Sequence, residues 1–204
     1  MAHIELRPNV FDCTKCHTPC NSESAKQNIF HINQTWGDKA EEILLYKINQ
    51  KGKYRARRTT LGYKFPDLTI YDQKNDKVCF VEVKMVNSTF MKIEEKLPQA
   101  KLTPSELIVL NNSAIINYNN ISKLYDIPIY IVFFVANRPC ITKDKKYKLY
   151  YQNYKVIYDI YTKKKEERSY TRKLVYGDRD EHGNIQNPLL KVHFSINELI
   201  QYKL

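Results

Sequence analysis

Glycine is scarce in this sequence, with 5 residues among 204, and no glycine-rich loop of the phosphate-binding kind is present. No apolar run reaches the ~18 residues that a membrane-spanning helix needs, and no charged-then-apolar leader opens the chain. No Ser or Cys stands in an arrangement typical of a catalytic nucleophile. These absences argue against a P-loop protein and a helical membrane protein. We therefore expect a soluble protein of the cytoplasm.

Acidic residues are the minority among the charged residues. The chain has 22 Asp and Glu against 33 Lys and Arg, a net charge of +11. Clustered Lys and Arg gain affinity for polyanions by releasing counterions, so this balance predicts a nucleic-acid partner. No basic amphipathic helix stands out, which argues against a membrane surface. A hydrophobic content of 43% over this length is enough for a folded core.

Two short apolar strands within residues 65–86 carry charged residues at positions where a core would have none. Successive side chains of a strand alternate between faces, so Glu82 and Lys84 share a face, and Asp67 opens the preceding strand. Two converging carboxylates repel each other unless a hard divalent cation lies between them. The alternative is a cross-strand ion pair on a solvated face of an antiparallel sheet.

Pro66-Asp67, followed on the next strand by Glu82-Val83-Lys84, resembles the motif of the PD-(D/E)XK nuclease superfamily, which has the restriction-endonuclease-like fold. The resemblance implies that Asp67 and Glu82 bind Mg²⁺ or Mn²⁺ and that the Val83 carbonyl adds a backbone ligand. It also implies that Lys84 orients or deprotonates the water that attacks a phosphodiester.

An amphipathic helix is predicted from Thr35 to about Gly52, before the two strands. Its apolar positions recur at helical spacing: Ala40, Ile43, Leu44 and Ile48. Glu41 falls within the apolar arc and should face the sheet. In several families of the superfamily a glutamate here resembles a further metal or water ligand. The alternative is a rotated helix with Glu41 on the surface.

A second helix is predicted to begin after a capping box formed by Thr103 and Glu106, with a core-facing stripe from Leu107 to Leu124. The run Ile127–Ala136 is apolar on both faces and predicts a central strand. The resulting order is helix, three strands, helix, strand. It predicts an α/β fold with a central mixed sheet flanked by helices, and it is also the αβββαβ core of the resembled superfamily.

Basic residues concentrate in two stretches. Lys51–Lys64 contains no acid and leads directly to Asp67, and Lys143–Lys173 interleaves cations with tyrosines. We expect such residues to contact the DNA backbone and bases. The alternatives are a solvated basic face and the ordinary preference of tyrosine for strands. The candidate DNA contacts are Lys53, Arg55, Arg57, Arg58, Lys64, Lys145, Lys146 and Lys148.

Three cysteines lie close together near the start of the chain: Cys13, Cys16 and Cys20. In a chain without a secretion signal this spacing favours a structural zinc over disulfides, although an iron–sulfur cluster fits the same count. The alternative is reduced thiols on a loop. Tetrahedral zinc needs a fourth ligand, for which the candidates are His17, which follows Cys16 directly, His31, His3 and Cys140.

The sequence thus predicts three regions: a Cys-rich segment, 1–34; the nuclease core, 35–138; and a basic, Tyr-rich, β-rich extension, 139–204. The function expected first is a Mg²⁺-dependent endonuclease acting on double-stranded DNA, of the type II restriction kind. A Holliday-junction or repair nuclease is the alternative, and a zinc-stabilised, non-catalytic nucleic-acid-binding protein is the alternative of another class. Cutting both strands needs two sites, so we also expect a homodimer.

Overall fold

A computed structural model describes residues 10–16, 29–62, 65–87, 89–143, 145–171 and 189–202. The α-helices are α1 (Ile29–Gln50), α2 (Ile93–Lys96), α3 (Asn112–Tyr125), α4 (Pro139–Thr142) and α5 (Tyr154–Arg168). The strands are β1 (Arg55–Arg58), β2 (Leu68–Tyr71), β3 (Lys77–Val86), β4 (Leu107–Asn111), β5 (Ile129–Ala136), β6 (Tyr147–Asn153), β7 (Ser169–Thr171), β8 (Leu190–Ser195) and β9 (Ile200–Tyr202). Short 3-10 turns span Cys13–Lys15, Pro98–Ala100, Pro104–Glu106 and Ile196–Glu198.

A six-stranded mixed sheet of order β1-β2-β3-β5-β6-β9 forms the centre of the fold. β3 and β5 are parallel and their neighbours are antiparallel. Helix α1 packs its buried Ala40 on the face that carries Val81, and α3 and α5 cover the face that carries Phe80 and Phe133. The predicted α/β class, with a central mixed sheet flanked by helices, is confirmed. The predicted helix, three strands, helix and strand correspond to α1, β1 to β3, α3 and β5, but the short helix α2 and the strand β4 come between β3 and α3.

The helix α1 is longer than the sequence pattern predicted, with 22 residues. Its amide-bearing Asn49 both accepts from the Ala56 backbone N–H at 2.8 Å and donates to the Ala56 carbonyl at 3.1 Å, so the helix end is tied to the edge strand β1. In the part of the chain that the structure describes, neither α1 nor another helix has the length and apolarity to cross a bilayer.

The second predicted helix begins later than expected. The Thr103 and Glu106 capping box does form, but it caps the 3-10 turn Pro104–Glu106, and the next five residues are strand β4. Helix α3 starts only at Asn112. The prediction was wrong because β4 pairs antiparallel with β8, whose residues lie at the far end of the chain. Leu124, expected in the core, is 74% exposed.

The region after residue 139 continues the central sheet. β6 pairs with β5 from Tyr130↔Asn153 to Ala136↔Tyr147, and β9 pairs with β6. β4, β8 and β7 form a separate three-stranded sheet. Directly after β8, Ser195 and Glu198 form a capping box on the 3-10 turn Ile196–Glu198. The division into three regions stays a prediction.

Candidate active site

Strand pairing places Asp67 and Glu82 next to each other. Leu68 pairs with Val81 across β2 and β3, so Asp67, immediately before β2, lies opposite Glu82. Alternation of side chains puts both acids and Lys84 on the face of β3 that carries Phe80, which is the face covered by α3. The structure therefore gathers the three motif residues at one place on the sheet.

Two backbone hydrogen bonds hold Asp67. Its Oδ2 accepts from the Val83 N–H at 2.7 Å, and its carbonyl accepts from the Thr59 N–H at 2.9 Å. Burial raises the pKa of Asp67 to about 7, and the charge of Glu82 adds to this rise. The Val83 N–H and the charge of Lys84 oppose it without cancelling it. Asp67 therefore holds its proton more readily than an exposed aspartate does.

Glu82 is the most buried acid of the site, with 3% of its surface exposed. Lys84 Nζ forms an ion pair with Glu82 Oε1, and the hydroxyl of Tyr118, on α3, is hydrogen-bonded to Glu82. Burial raises the pKa of Tyr118, so its hydroxyl keeps its proton and acts as a donor. The sequence pattern had placed Tyr118 only in an apolar stripe. A tyrosine in such a stripe signals a polar partner, since a buried hydroxyl needs one.

The Lys84 side chain is 38% exposed, and its ammonium lies against Glu82. Burial lowers the pKa of Lys84, but the charge and hydrogen bond of Glu82 and the charges of Asp67 and Glu41 outweigh burial, so the pKa lies above its ordinary value. In this arrangement Lys84 is protonated at neutral pH. It can donate hydrogen bonds but has no lone pair with which to accept a proton.

Glu41 lies beside the acid pair. Its side chain is 19% exposed, and its Oε2 lies 3.1 Å from Arg58 Nη1. Burial raises the pKa of Glu41; the charge of Arg58 opposes this, and the charges of Asp38 and Glu82 add to it. Glu41 thus faces the site. Arg58, a predicted DNA contact, is engaged by Glu41 and, at 3.9 Å, by Glu42.

Five further basic candidates lie in two places, on β1 and at the start of β6. Arg55 and Arg57 alternate with the buried Ala56 on β1 and are exposed on the face of the acids. Arg57 pairs with Thr69, which pairs with Phe80, so two strand spacings of about 4.8 Å put its Cα roughly 10 Å from β3. At the other place, Lys145 and Lys146 are exposed before β6 and Lys148 lies on β6, partly buried.

Two other basic candidates complete the set. Lys53 is exposed, with its Nζ 5.3 Å from the ring centroid of Tyr54. Lys64 lies outside the described residues. On β1, the guanidinium of Arg57 lies over the ring of Tyr71 at 5.4 Å, a cation–π contact that holds the charged end of the side chain against the sheet.

No set of three or more His, Cys, Asp or Glu among the described residues forms a group that could hold a metal ion. At the acid pair, the Lys84 ammonium lies against Glu82 and the Val83 N–H against Asp67. These contacts supply the positive charge and hydrogen bonds that an ion would otherwise supply. The donor set nevertheless fits a hard cation, because a cation stabilises adjacent carboxylates whose burial and mutual repulsion raise a pKa.

The cysteine cluster is described only in part. Cys13 begins a 3-10 turn in which the Cys16 N–H donates to the Cys13 carbonyl at 3.3 Å. Both thiols are half-buried. His17 and Cys20, the other predicted zinc ligands, lie outside the described residues.

No family model and no curated protein matches this sequence. Among solved structures, the chain is similar to Hjc of Archaeoglobus fulgidus, a Holliday junction resolvase from an archaeal hyperthermophile. The two share 11% identity and a TM-score of 0.41, and the match covers 79% of this chain and 86% of that chain. A likeness this distant assigns neither fold family nor activity, so the function has to be argued from the residues of the site.

Proposed function

We propose that this protein is a divalent-metal-dependent endonuclease that hydrolyses DNA phosphodiester bonds. The observation that carries the proposal is the pairing of Asp67 with Glu82, with the pKa of Asp67 raised to about 7 by burial and by its neighbour. An ordinary surface ion pair does not explain this arrangement, because Glu82 is 3% exposed. Two adjacent buried carboxylates are oxygen ligands of the kind that a hard divalent cation prefers.

Asp67 and Glu82 would hold Mg²⁺ or Mn²⁺, with the Val83 carbonyl as a proposed backbone ligand and Glu41 as a ligand to the ion or its water. When bound, such an ion polarises a phosphoryl oxygen and makes a coordinated water more acidic. The chain's own contribution is positional. The Val83 N–H fixes Asp67 and Tyr118 fixes Glu82, so neither carboxylate has to reorganise.

Lys84 would hold the attacking water or a phosphate oxygen through its ammonium protons. Its ammonium lies against Glu82, so it would be a neighbour of a phosphate held at the acid pair. Because the charges of the acids are what raise the pKa of Lys84, neutralising those acids lowers it. The residue therefore changes from a firmly protonated donor toward a group that can exchange a proton when the acids are neutralised.

The exposed Arg55 and Arg57 would position the DNA backbone. They share the face of the acid pair and lie about two strands away, close enough for one duplex to contact both. Lys145, Lys146 and Lys148 extend the positive surface at the β6 end of the sheet. These contacts carry no sequence information by themselves.

Two substrate classes fit this site: a specific duplex sequence and a branched junction. We therefore propose the nuclease class, and the substrate assay described below distinguishes the two substrates. We also propose a homodimer, since two copies related by a two-fold axis would bring one site to each strand of a duplex. Light scattering on the DNA complex tests this, and one chain per duplex would contradict it.

The deciding experiment compares the full chain with Glu82→Gln on plasmid DNA and on a synthetic four-way junction, with and without Mg²⁺. Gln keeps the size and the hydrogen-bonding ability of the side chain but removes the charge, so we expect metal-dependent cleavage to fall at least about 100-fold. Glu94→Gln, an exposed acid on α2, is the matched control and should cleave normally. Discrete plasmid fragments would indicate sequence reading, and cleavage of the junction alone would indicate shape reading.

Unchanged cleavage by Glu82→Gln would refute the proposed site. Tight DNA binding by the wild-type protein with no metal-dependent turnover on either substrate would instead favour the non-catalytic nucleic-acid-binding alternative.

A further inference from the structure

A cavity of about 470 Å³ lies between helix α1 and the central sheet, on the face of the sheet opposite the acid pair. Val81 of β3 lines this cavity, while the next residue, Glu82, points to the other face. Volumes of about 300–1,000 Å³ are usual for small-molecule sites. The cavity, here called the α1 cavity, is separated from the candidate active site by strand β3.

The described helices cover the two faces of the sheet unequally. β5 pairs with a strand on each side and is apolar along its whole length, as a central strand should be. On the face under α3 and α5, Ile131 and Phe133 of β5 are fully buried. On the α1 face, Tyr130 and Val132 are only half-buried and line the cavity. A concave apolar surface of this kind is typical of a binding site.

The interior of the α1 cavity is apolar. Leu44 and Ile48 of α1 form one wall, and Ile70 and Leu149 contribute to the floor formed by the sheet. Cys79 also lines the floor, and burial raises the pKa of this thiol to about 11, so Cys79 is uncharged at neutral pH. Transfer of hydrocarbon from water to such a surface is favourable. The cavity therefore suits an apolar tail.

Two lysines bring positive charge to one side of this apolar interior. Lys47, in the last turn of α1, and Lys51, directly after the helix, both line the cavity. The Lys51 ammonium donates a hydrogen bond to the Tyr202 hydroxyl and lies 4.9 Å from the centroid of its ring, so its partner there is neutral. No Asp or Glu among the described residues lines the cavity. Its charge therefore complements an anion.

We propose that the α1 cavity binds a free alkyl carboxylate, with the hydrocarbon tail on the sheet and the carboxylate at Lys47 and Lys51. Ammonium and carboxylate groups form charge-assisted hydrogen bonds, which select an anionic head over a neutral one. A nucleotide fits less well, because the polar edges of its base would lose water against aliphatic side chains. The proposal does not depend on the proposed nuclease activity, and its test uses no cleavage assay.

The test titrates the full chain with decanoate and with decanol by calorimetry, at concentrations below those at which either ligand aggregates. We expect decanoate to bind at least about 5-fold more tightly than decanol. Lys47→Met and Lys51→Met keep an apolar stem but remove the charge, so each should weaken decanoate binding by about 2- to 5-fold and leave decanol binding unchanged. Lys39→Met is the matched control. It removes an exposed lysine elsewhere on α1 and should bind both ligands as the wild type does.

A second measurement uses Cys79 as a reporter and needs no variant. On the wild-type protein, saturating decanoate should slow the alkylation of Cys79, followed by mass spectrometry. The alkylation of Cys140, which lines a different cavity, should stay unchanged. Absence of decanoate binding, equal binding of decanoate and decanol, or an unchanged rate at Cys79 would each overturn the proposal.

Other occupants of the α1 cavity would give different results in the same assay. Protection of Cys79 that rises with protein concentration, without any ligand, would indicate that a second copy of the chain covers the cavity. Protection by a short single-stranded oligonucleotide, but not by decanoate, would indicate a nucleic-acid contact. Either result would overturn the proposal.

Discussion

Replacing Asp67 by Asn should stabilise the protein at alkaline pH when no divalent cation is present. The pKa of Asp67 is raised from 3.8 to about 7, first by burial and then by Glu82. An acid with a higher pKa in the folded state binds its proton more tightly when folded. Its stabilising contribution is therefore complete below pH 3.8 and is lost as pH rises through about 7.

The magnitude follows from the two pKa values. Between pH 5 and pH 7 the folded protein retains a proton that the unfolded chain has released, and each unit changes stability by about 1.4 kcal/mol. The contribution of Asp67 thus falls by about 3 kcal/mol between pH 5 and pH 8. Asn keeps an acceptor for the Val83 N–H but carries no charge, so Asp67→Asn should lack this fall.

The assay is urea unfolding of both proteins at pH 5 and pH 8 with a chelator present. Asp126→Asn is the matched control, because Asp126 is exposed and has a φ of 48°, a left-handed conformation that Asn accepts equally well. Adding Mg²⁺ at pH 8 should then stabilise the wild type and leave Asp67→Asn nearly unchanged. Equal effects of Asp67→Asn at pH 5 and pH 8, or a larger destabilisation at pH 8, would refute the electrostatic account of the acid pair.

Three further outcomes follow from the same geometry. Tyr118→Phe removes the hydrogen bond to Glu82 and should lower the free energy of unfolding, measured in urea, by about 1–3 kcal/mol. The pH profile of cleavage should also shift, and an unchanged profile would contradict the role of Tyr118. Lys84→Met leaves Glu82 buried without its ion pair. In chelator it should lower the free energy of unfolding by about 1–3 kcal/mol, after allowing for the 38% exposure of Lys84. Adding Mg²⁺ should restore this stability, and a failure to restore it would argue against cation binding. Arg57→Ala should weaken DNA binding to all sequences and reduce the slope of log K against log salt by about 1; an unchanged slope would remove Arg57 from the interface.

The class of fold was predictable because its signals are local. The alternation of residues 78–86 and the helical spacing from Ala40 to Ile48 fix elements within a few turns of chain, and both are observed. The start of α3 was not predictable in this way. Leu107 and Leu110 fit a helical stripe, yet they belong to β4 because β8, about 80 residues later, supplies the pairing partner.

The residues of the candidate site also differ in whether local sequence signals could predict them. Asp67, Glu82 and Lys84 share a short motif on two paired strands, so the sequence could name them together. Tyr118 approaches Glu82 from a helix on the covered face, and its polar role depends on tertiary packing. Likewise, Cys140 lines the same cavity as Cys13 and Cys16 only through the placement of α4 after β5.

The ion pair of Lys84 with Glu82 also implies that, in the proposed enzyme, the metal ion would bind before Lys84 acts on the substrate. Without a cation, the acids hold Lys84 protonated and against Glu82, so the lysine neutralises the site instead of activating water. A divalent cation would compete with the ammonium for the charge of the same carboxylate. Because the divalent ion is attracted more strongly, its binding would release Lys84 toward the substrate. In the proposed enzyme, activation of Lys84 would therefore be coupled to metal binding, and the apparent affinity for Mg²⁺ should be higher in Lys84→Met than in the wild type. Equal or weaker Mg²⁺ binding by Lys84→Met, measured by calorimetry, would show that the two cations do not compete.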